Sequence, residues 1–368
     1  MNKDSKIYVA GHEGLVGSSI MRRFTMAGYT NIITRTFTEL DLRRQAAVER
    51  FFEQERPEYV VLAAAKVGGI LANSTYKAEF IYDNLMIAAN VIHAAYKVSV
   101  KRLINLGSSC IYPKNAPQPL KEEYLLSGPL EETNEPYAIA KIAAIKLCRY
   151  YNEQYGTRFI SLMPTNLYGP NDNFNLETSH VLPALLRKFY LAKLLTENNL
   201  EQIWVDVKGV PLGWGLEKQI KSLQDIPEVL ATLGIFSDHI TLWGSGEVYR
   251  EFMYVDDLAR VIHFLFQFEE VFKINDDWLL NVGTGVDLTI KELACFIAHE
   301  IRYTGQIFFD KEKPSGVGRK LLDVGELQHI MGEKGQNFIS VSSGLKKLKN
   351  AQGTVQFSAV LTHGKQVE

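Results

Sequence analysis

Short apolar runs alternate with longer amphipathic stretches through the first half of the chain. The runs at 6–10, 31–35, 59–65, 102–106 and 159–163 are too short for helices and do not alternate apolar with polar, so they predict fully buried strands. Between them, apolar positions spaced three and four apart predict helices from about 15 to 28, from 75 to 98, and from Pro136 onward. Asp41 stands where it would cap another helix, and Pro136 suits a first turn because its missing N–H has no helical partner there. Strands and helices in alternation predict an α/β fold with a doubly wound parallel sheet, whose ligands lie beyond the carboxyl ends of the strands. After 170 the pattern turns irregular. A helix follows Ser179-His180, a helix-like segment lies at 226–233, strands are expected at 240–243 and 280–282, and no period is visible from 350.

Composition narrows the class. At 368 residues, 46% of them hydrophobic and 22% charged, the chain can build two domains or one large one with a full core. Forty basic against forty-two acidic residues leave a net charge of -2, and no run of like charges recruits nucleic acid or an anionic membrane. Cys110, Cys148 and Cys295 have no metal-ligand spacing and are odd in number, which points to no metal site, no disulfide scaffold and a reducing compartment, the cytoplasm. The first five residues lead directly into a strand and leave no room for a signal peptide, and no apolar run approaches the roughly 20 residues of a membrane helix.

The chemistry gathers at predicted strand ends. Gly11-His12-Glu13-Gly14-Leu15-Val16-Gly17 lies between a strand and a helix, the setting of a dinucleotide phosphate cradle: one glycine for the tight turn, one for close approach of the pyrophosphate, one for packing helix on strand. A plain turn would read the same way. Arg35 ends the second strand where an acidic residue would grip a ribose hydroxyl, which suits a 2′-phosphate and NADP, although a solvated arginine also fits. Tyr137 and Lys141 stand one turn apart on one helix face. An ammonium there favours the phenolate of a group whose pKa is otherwise about 10, so Tyr137 could exchange a proton with a substrate oxygen, with Ser108 holding the same oxygen. A solvated helix face, a small buried thiol at Cys110 and a structural histidine at His180 are the plainer readings.

The strings A-A-A-K-V-G-G-I (63–70), G-S-S-C-I-Y-P (107–113), N-E-P-Y-A-I-A-K (134–141) and M-P-T-N-L-Y-G-P (163–170) resemble the extended short-chain dehydrogenase/reductase family. The resemblance runs from 6 to about 195 and from about 240 to 325, and is strongest to the NADPH-dependent epimerase-reductases that act on GDP-4-keto-6-deoxy-D-mannose. It implies a Rossmann sheet at 1–175, to which the chain returns at about 251–283. A smaller α+β substrate domain would occupy 176–250 and 284–349, with a loose tail at 350–368. Ser108, Tyr137 and Lys141 are then the reductive triad, and Cys110 and His180 the acid/base pair that inverts C3 and C5. NADP would lie against Gly11, Gly14, Leu15, Val16, Gly17, Arg35, Asp41, Leu106, Gly107, Lys141, Pro164, Asn166, Leu167 and His180. The GDP-sugar would meet Lys188, Trp243, Arg250 and Lys320, and the protein would be a homodimer packed through helices of the nucleotide domain. Glu13 stands where the family often has an arginine, and Ser315 replaces an aspartate that would contact substrate. The stretch 196–239 has no family counterpart in this resemblance and reads as a lid on the sugar site, an oligomer contact or, most plainly, a neutral surface excursion. A 4-epimerase would leave Cys110 and His180 unexplained, and a 4,6-dehydratase would place an Asp-Glu pair where Ser109 and Cys110 stand. A non-catalytic cofactor-binding regulator is the remaining alternative.

Overall fold

The structure, a computed structural model, describes residues 1–267, 275–313, 316–332 and 337–351. Ser315 and the tail from 352 onward lie outside the described residues. The chain divides into two compact units, one made of Met1–Leu167, Glu251–Val286 and Leu321–Ile339, the other of Tyr168–Arg250, Asp287–Lys320 and the residues from Ser340.

The first unit is built on a six-stranded sheet. β1 (Ile7–Ala10), β2 (Ile32–Ile33), β3 (Tyr59–Leu62), β4 (Arg102–Leu106) and β5 (Phe159–Pro164) join the strand Leu279–Val282 in the order β2-β1-β3-β4-β5 and then that last strand. Every pairing is parallel, for example Ile7 with Tyr59 and Leu103 with Phe159. Alternate side chains explain the unbroken apolar runs, because both faces are covered. Ile7, Val9, Val61 and Ile104 pack on one face with Phe24, Leu258, Ile262 and Phe266. Tyr8, Ala10, Val60 and Leu62 pack on the other with Val48, Phe52, Val91, Ile92 and Cys148. The strand order turns back at β1, which opens a crevice at its carboxyl end.

Two expected elements are shorter than the sequence implies. β2 holds only Ile32 and Ile33, so Arg35 lies in the segment after it; the helix expected at 75–98 runs from Lys77 to Lys97, and a short helix Ile70–Thr75 precedes it. The helix expected to open at Asp41 begins at Gln45 after Arg44. Asp41 is therefore no helix cap. Its carboxylate accepts from the Arg43 backbone N–H at 3.0 Å and from the Arg43 guanidinium at 2.9 and 3.0 Å, closing a local turn, and these bonds hold its carboxyl below the usual range.

In the second unit, the strands His239–Trp243 and Gln306–Asp310 pair in parallel. The helix Val181–Thr196 packs against the first of them and against the helix Ile290–Ile301. The stretch 196–239 is not an excursion. It forms the helices Leu200–Gly209 and Ile226–Ala231, and Ile203, Leu212, Ile226 and Leu230 are fully buried. Near the other end, Val341–Ala351 is helical. No helix among the described residues is long and apolar enough to cross a membrane.

Candidate active site

The first unit collects its chemistry at the carboxyl edge of the sheet, where the chain leaves each strand. After β1, Gly11 adopts φ +80°, and a Cβ on Gly17 would lie 2.0 Å from the Gly11 carbonyl oxygen. Only glycine lets this turn close. The helix Leu15–Met26 begins there with no side-chain cap and no acidic residue in its first turn, so its first N–H groups and positive dipole end suit an anion. Leu15 and Val16 form that first turn, with Val16 packed partly into the core. His12 carries a buried Nδ1 with no partner, and Glu13 is exposed beside it. Arg35 donates to Glu55 at 2.7 Å and to the Thr34 carbonyl at 2.8 Å, and lies 5.2 Å from the Phe51 ring centre. A 2′-phosphate there would compete with a carboxylate the sequence does not place beside it.

β4 ends at Leu106 and Gly107. A Cβ on Gly107 would overlap the Met163 side chain, so β4 and β5 are held close at this point. The Ser108 Oγ accepts from the Cys110 N–H at 3.4 Å and opens a short turn that buries Cys110. The helix Glu135–Tyr155 presents Tyr137 and Lys141 to the same edge. Lys141 is 7% exposed, its Nζ donates to the Leu106 carbonyl at 2.7 Å, and it lies 5.6 Å from the Tyr137 ring centre. Burial pulls its pKa down to about 8, with Cys110 opposing the shift. Burial likewise pushes the Tyr137 phenol well above its ordinary value, and a negative charge on Cys110 would push it further. The Tyr137 shift therefore runs opposite to the lowering expected from Lys141: loss of water is its largest cause, and one donor of the Lys141 ammonium is engaged by the Leu106 carbonyl.

Pro164 ends β5, and Leu167 packs partly into the core. Asn166 donates to the Glu251 carbonyl at 2.8 Å. Glu251 is a residue the sequence reading passed over. It is fully buried, its carboxylate accepts from the N–H groups of Thr284, Gly285 and Leu322 at 2.5, 2.8 and 3.0 Å, and burial raises its pKa. Apart from the Thr284 hydroxyl at 3.2 Å, its partners are main-chain groups, which leave no mark in a sequence.

In the second unit, Arg250 and Lys320 are directly opposite on paired strands, which puts two cations on one face. Arg250 also donates to the Tyr249 carbonyl at 2.7 Å, and burial lowers its pKa. His180 precedes the helix Val181–Thr196; the residue as a whole is exposed, yet burial of its imidazole and then the Lys320 charge push its pKa down, favouring the neutral form. Lys188 donates to the Leu233 carbonyl at 2.8 Å, with its pKa lowered by burial to about 8. Trp243 is 53% exposed with Lys313 5.8 Å from its ring centre, a flat apolar face beside a cation.

A parallel sheet with a glycine cradle and a Tyr-Lys pair on one helix face at its carboxyl edge defines a nucleotide-dependent oxidoreductase or epimerase. The NAD dependent epimerase/dehydratase family model matches residues 7–208 and 222–283, and the chain belongs to that family. Among known proteins, a putative GDP-L-fucose synthase 2 of Arabidopsis thaliana is 49% identical, the match covering 90% of this chain and 87% of the other. The GDP-L-fucose synthase of Escherichia coli strain K12 is 48% identical over 88% of this chain and 90% of its own. Among solved structures, a GDP-D-glycero-L-gluco-heptose synthase from Campylobacter jejuni in the presence of NADPH superposes with a TM-score of 0.85 at 39% identity, covering 95% of this chain and 98% of that one. The family match omits only 209–221 of the stretch 196–239, so most of that stretch has a family counterpart after all.

Proposed function

We propose that this chain performs the GDP-L-fucose synthase reaction, inverting C3 and C5 of GDP-4-keto-6-deoxy-D-mannose and reducing C4 with NADPH. The observation that carries the reading is the Tyr137–Lys141 pair, one turn apart at the sheet edge with Lys141 buried, Tyr137 half-buried and the Cys110 thiol close enough to bias both. The glycine cradle fits a dinucleotide: a Cβ at Gly11 would meet the Ala64 backbone at 2.7 Å, and the helix N–H groups at 15–17 carry no competing cap. Leu106, Gly107, Pro164, Asn166 and Leu167 line the same edge, and Arg35 takes the 2′-phosphate. When bound, NADPH supplies the hydride for C4.

The residues divide the remaining work. Inverting a carbon α to a ketone takes a base on one face and an acid on the other, and Cys110 and His180 fill those two places. The lowered pKa of His180 keeps it neutral near pH 7 and able to accept a proton. Tyr137, kept protonated by burial, donates to the C4 oxygen; Ser108 uses its hydroxyl proton on the same oxygen while its lone pair receives the Cys110 N–H. Lys141 holds the nicotinamide ribose. Arg250 and Lys320 meet the diphosphate, Lys188 adds a further cation, and Trp243 forms a wall of the substrate site. Exposed Tyr82, Ile139, Tyr150 and Tyr155 on the helices Lys77–Lys97 and Glu135–Tyr155 support a homodimer through those helices. Three cysteines, none in a disulfide among the described residues, support a cytoplasmic setting.

The test is a single assay in deuterated water with NADPH and GDP-4-keto-6-deoxy-D-mannose. Deuterium at both C3 and C5 together with NADPH oxidation is expected. Oxidation without exchange would leave a C4 reductase, and NADPH binding without either would leave the regulator.

A further inference from the structure

His180 is delivered by a loop, 171–180, that contains no helix or strand and must be held by side chains. We propose that the turn at 210–214, mounted on the buried Arg187–Asp206 pair, is the device that positions His180 for epimerisation. The inference rests on the functional reading above and adds to it residues of no assigned role.

Arg187 is 1% exposed, and its guanidinium makes four hydrogen bonds and a further close ion-pair contact with Asp206. Nε and Nη2 meet Asp206 Oδ1 at 3.0 and 2.9 Å, Nη2 also donates to the Val210 carbonyl at 2.6 Å, and Nη1 donates to the carbonyls of Phe174 and Pro211 at 3.0 Å each. One guanidinium therefore fixes the start of the His180 loop, the helix Leu200–Gly209 and the turn after it. Such a pair is weak evidence for stability, since apolar replacements often serve as well, but its fork geometry is strong on direction.

The turn then reaches the loop at four points. Leu176 N–H donates to the Leu212 carbonyl at 3.2 Å, the Asn175 side chain donates to the Pro211 carbonyl at 3.4 Å, and Glu177 Oε2 accepts from the Trp214 N–H at 2.6 Å. Gly213 has φ +101°, and a Cβ there would lie 2.5 Å from the Glu177 Cβ and 3.1 Å from Asn175 Oδ1. From Asn175 the restraint runs on: its Oδ1 accepts from the N–H groups of Glu177 and Thr178, and its carbonyl from Ser179, the neighbour of His180. His180 then caps the helix that bears Arg187, so the circuit closes on itself. The turn lies within 209–221, the part the family model does not match.

A base misplaced by about 1 Å can lose roughly a hundredfold in rate, which makes the mount readable in kinetics. In Gly213→Ala and Glu177→Ala, deuterium uptake at C3 and C5 is expected to fall about tenfold or more, while NADPH-dependent reduction of the already epimerised 4-ketone stays within about twofold. Glu177→Gln, which keeps an acceptor oxygen, restores uptake. Equal loss of both activities, or full uptake in a folded Glu177→Ala, would overturn the mount; if Gly213→Ala does not fold, Glu177→Ala decides. Absence of deuterium uptake by the unaltered protein would sink the functional reading first, and the mount with it.

Discussion

The two sets of chemical groups are mounted in opposite ways. In the first unit, Ser108, Tyr137 and Lys141 sit at the ends of regular elements, on a strand exit and a helix face, and are immobilised by the same packing that builds the sheet. In the second, His180 hangs on an irregular loop whose position depends on a guanidinium, an amide and a carboxylate reaching across the chain. Under the proposed function, proton delivery to C4 would be tied to the stability of the core, whereas the His180 half of the inversion of C3 and C5 would be tied to a few directional bonds. The first should be robust to surface change and the second sensitive to it.

That contrast can be broken from the strong side. Tyr137→Phe is expected to reduce turnover about a thousandfold, the usual worth of a positioned acid, with NADPH affinity unchanged within about twofold by fluorescence titration. A large loss of affinity would show that the phenol serves binding instead. Next in size is a pH limb. With Lys141 lowered to about 8, its ammonium is present below that pH and lost above it, so kcat/KM for reduction should fall about tenfold per pH unit beyond about 8. In Lys141→Arg, whose charge persists, the limb should leave the measurable range. A profile flat to high pH in the unaltered enzyme would detach Lys141 from reduction. The smallest effect tests the cofactor end. Arg35 is one-third exposed and already shares its charge with Glu55, so Arg35→Ala should weaken NADPH about tenfold and leave NADH nearly untouched; equal changes in both would remove the 2′-phosphate role.

The same contrast decides what could be read from the amino acids. All six strands of the large sheet were legible because burial on both faces writes a continuous apolar run, and the residues after them were legible because such sheets carry ligands at that edge. Arg187 was not. In sequence it is one of two cations mid-helix, and nothing local distinguishes it from Lys188; its partner Asp206 comes nineteen positions later and its other acceptors are carbonyls. Glu251 was hidden for the same reason. Asp41 was misread because an aspartate can close a turn with the next N–H as readily as it can start a helix, and Arg43 settled the matter. The direction of the Tyr137 shift was misread because burial, unlike neighbouring charge, has no signature in spacing.

The threading of the first unit bears on how the nascent chain matures. β5 ends at Pro164, but its neighbour in the sheet, Leu279–Val282, is translated more than a hundred residues later. At about 5–20 residues per second, a newly made and mostly apolar strand waits on the ribosome with one edge open for roughly 5–25 seconds. An open edge of that kind is a template for pairing with other chains. Chaperone demand during synthesis should therefore peak in that interval and vanish once the last strand docks.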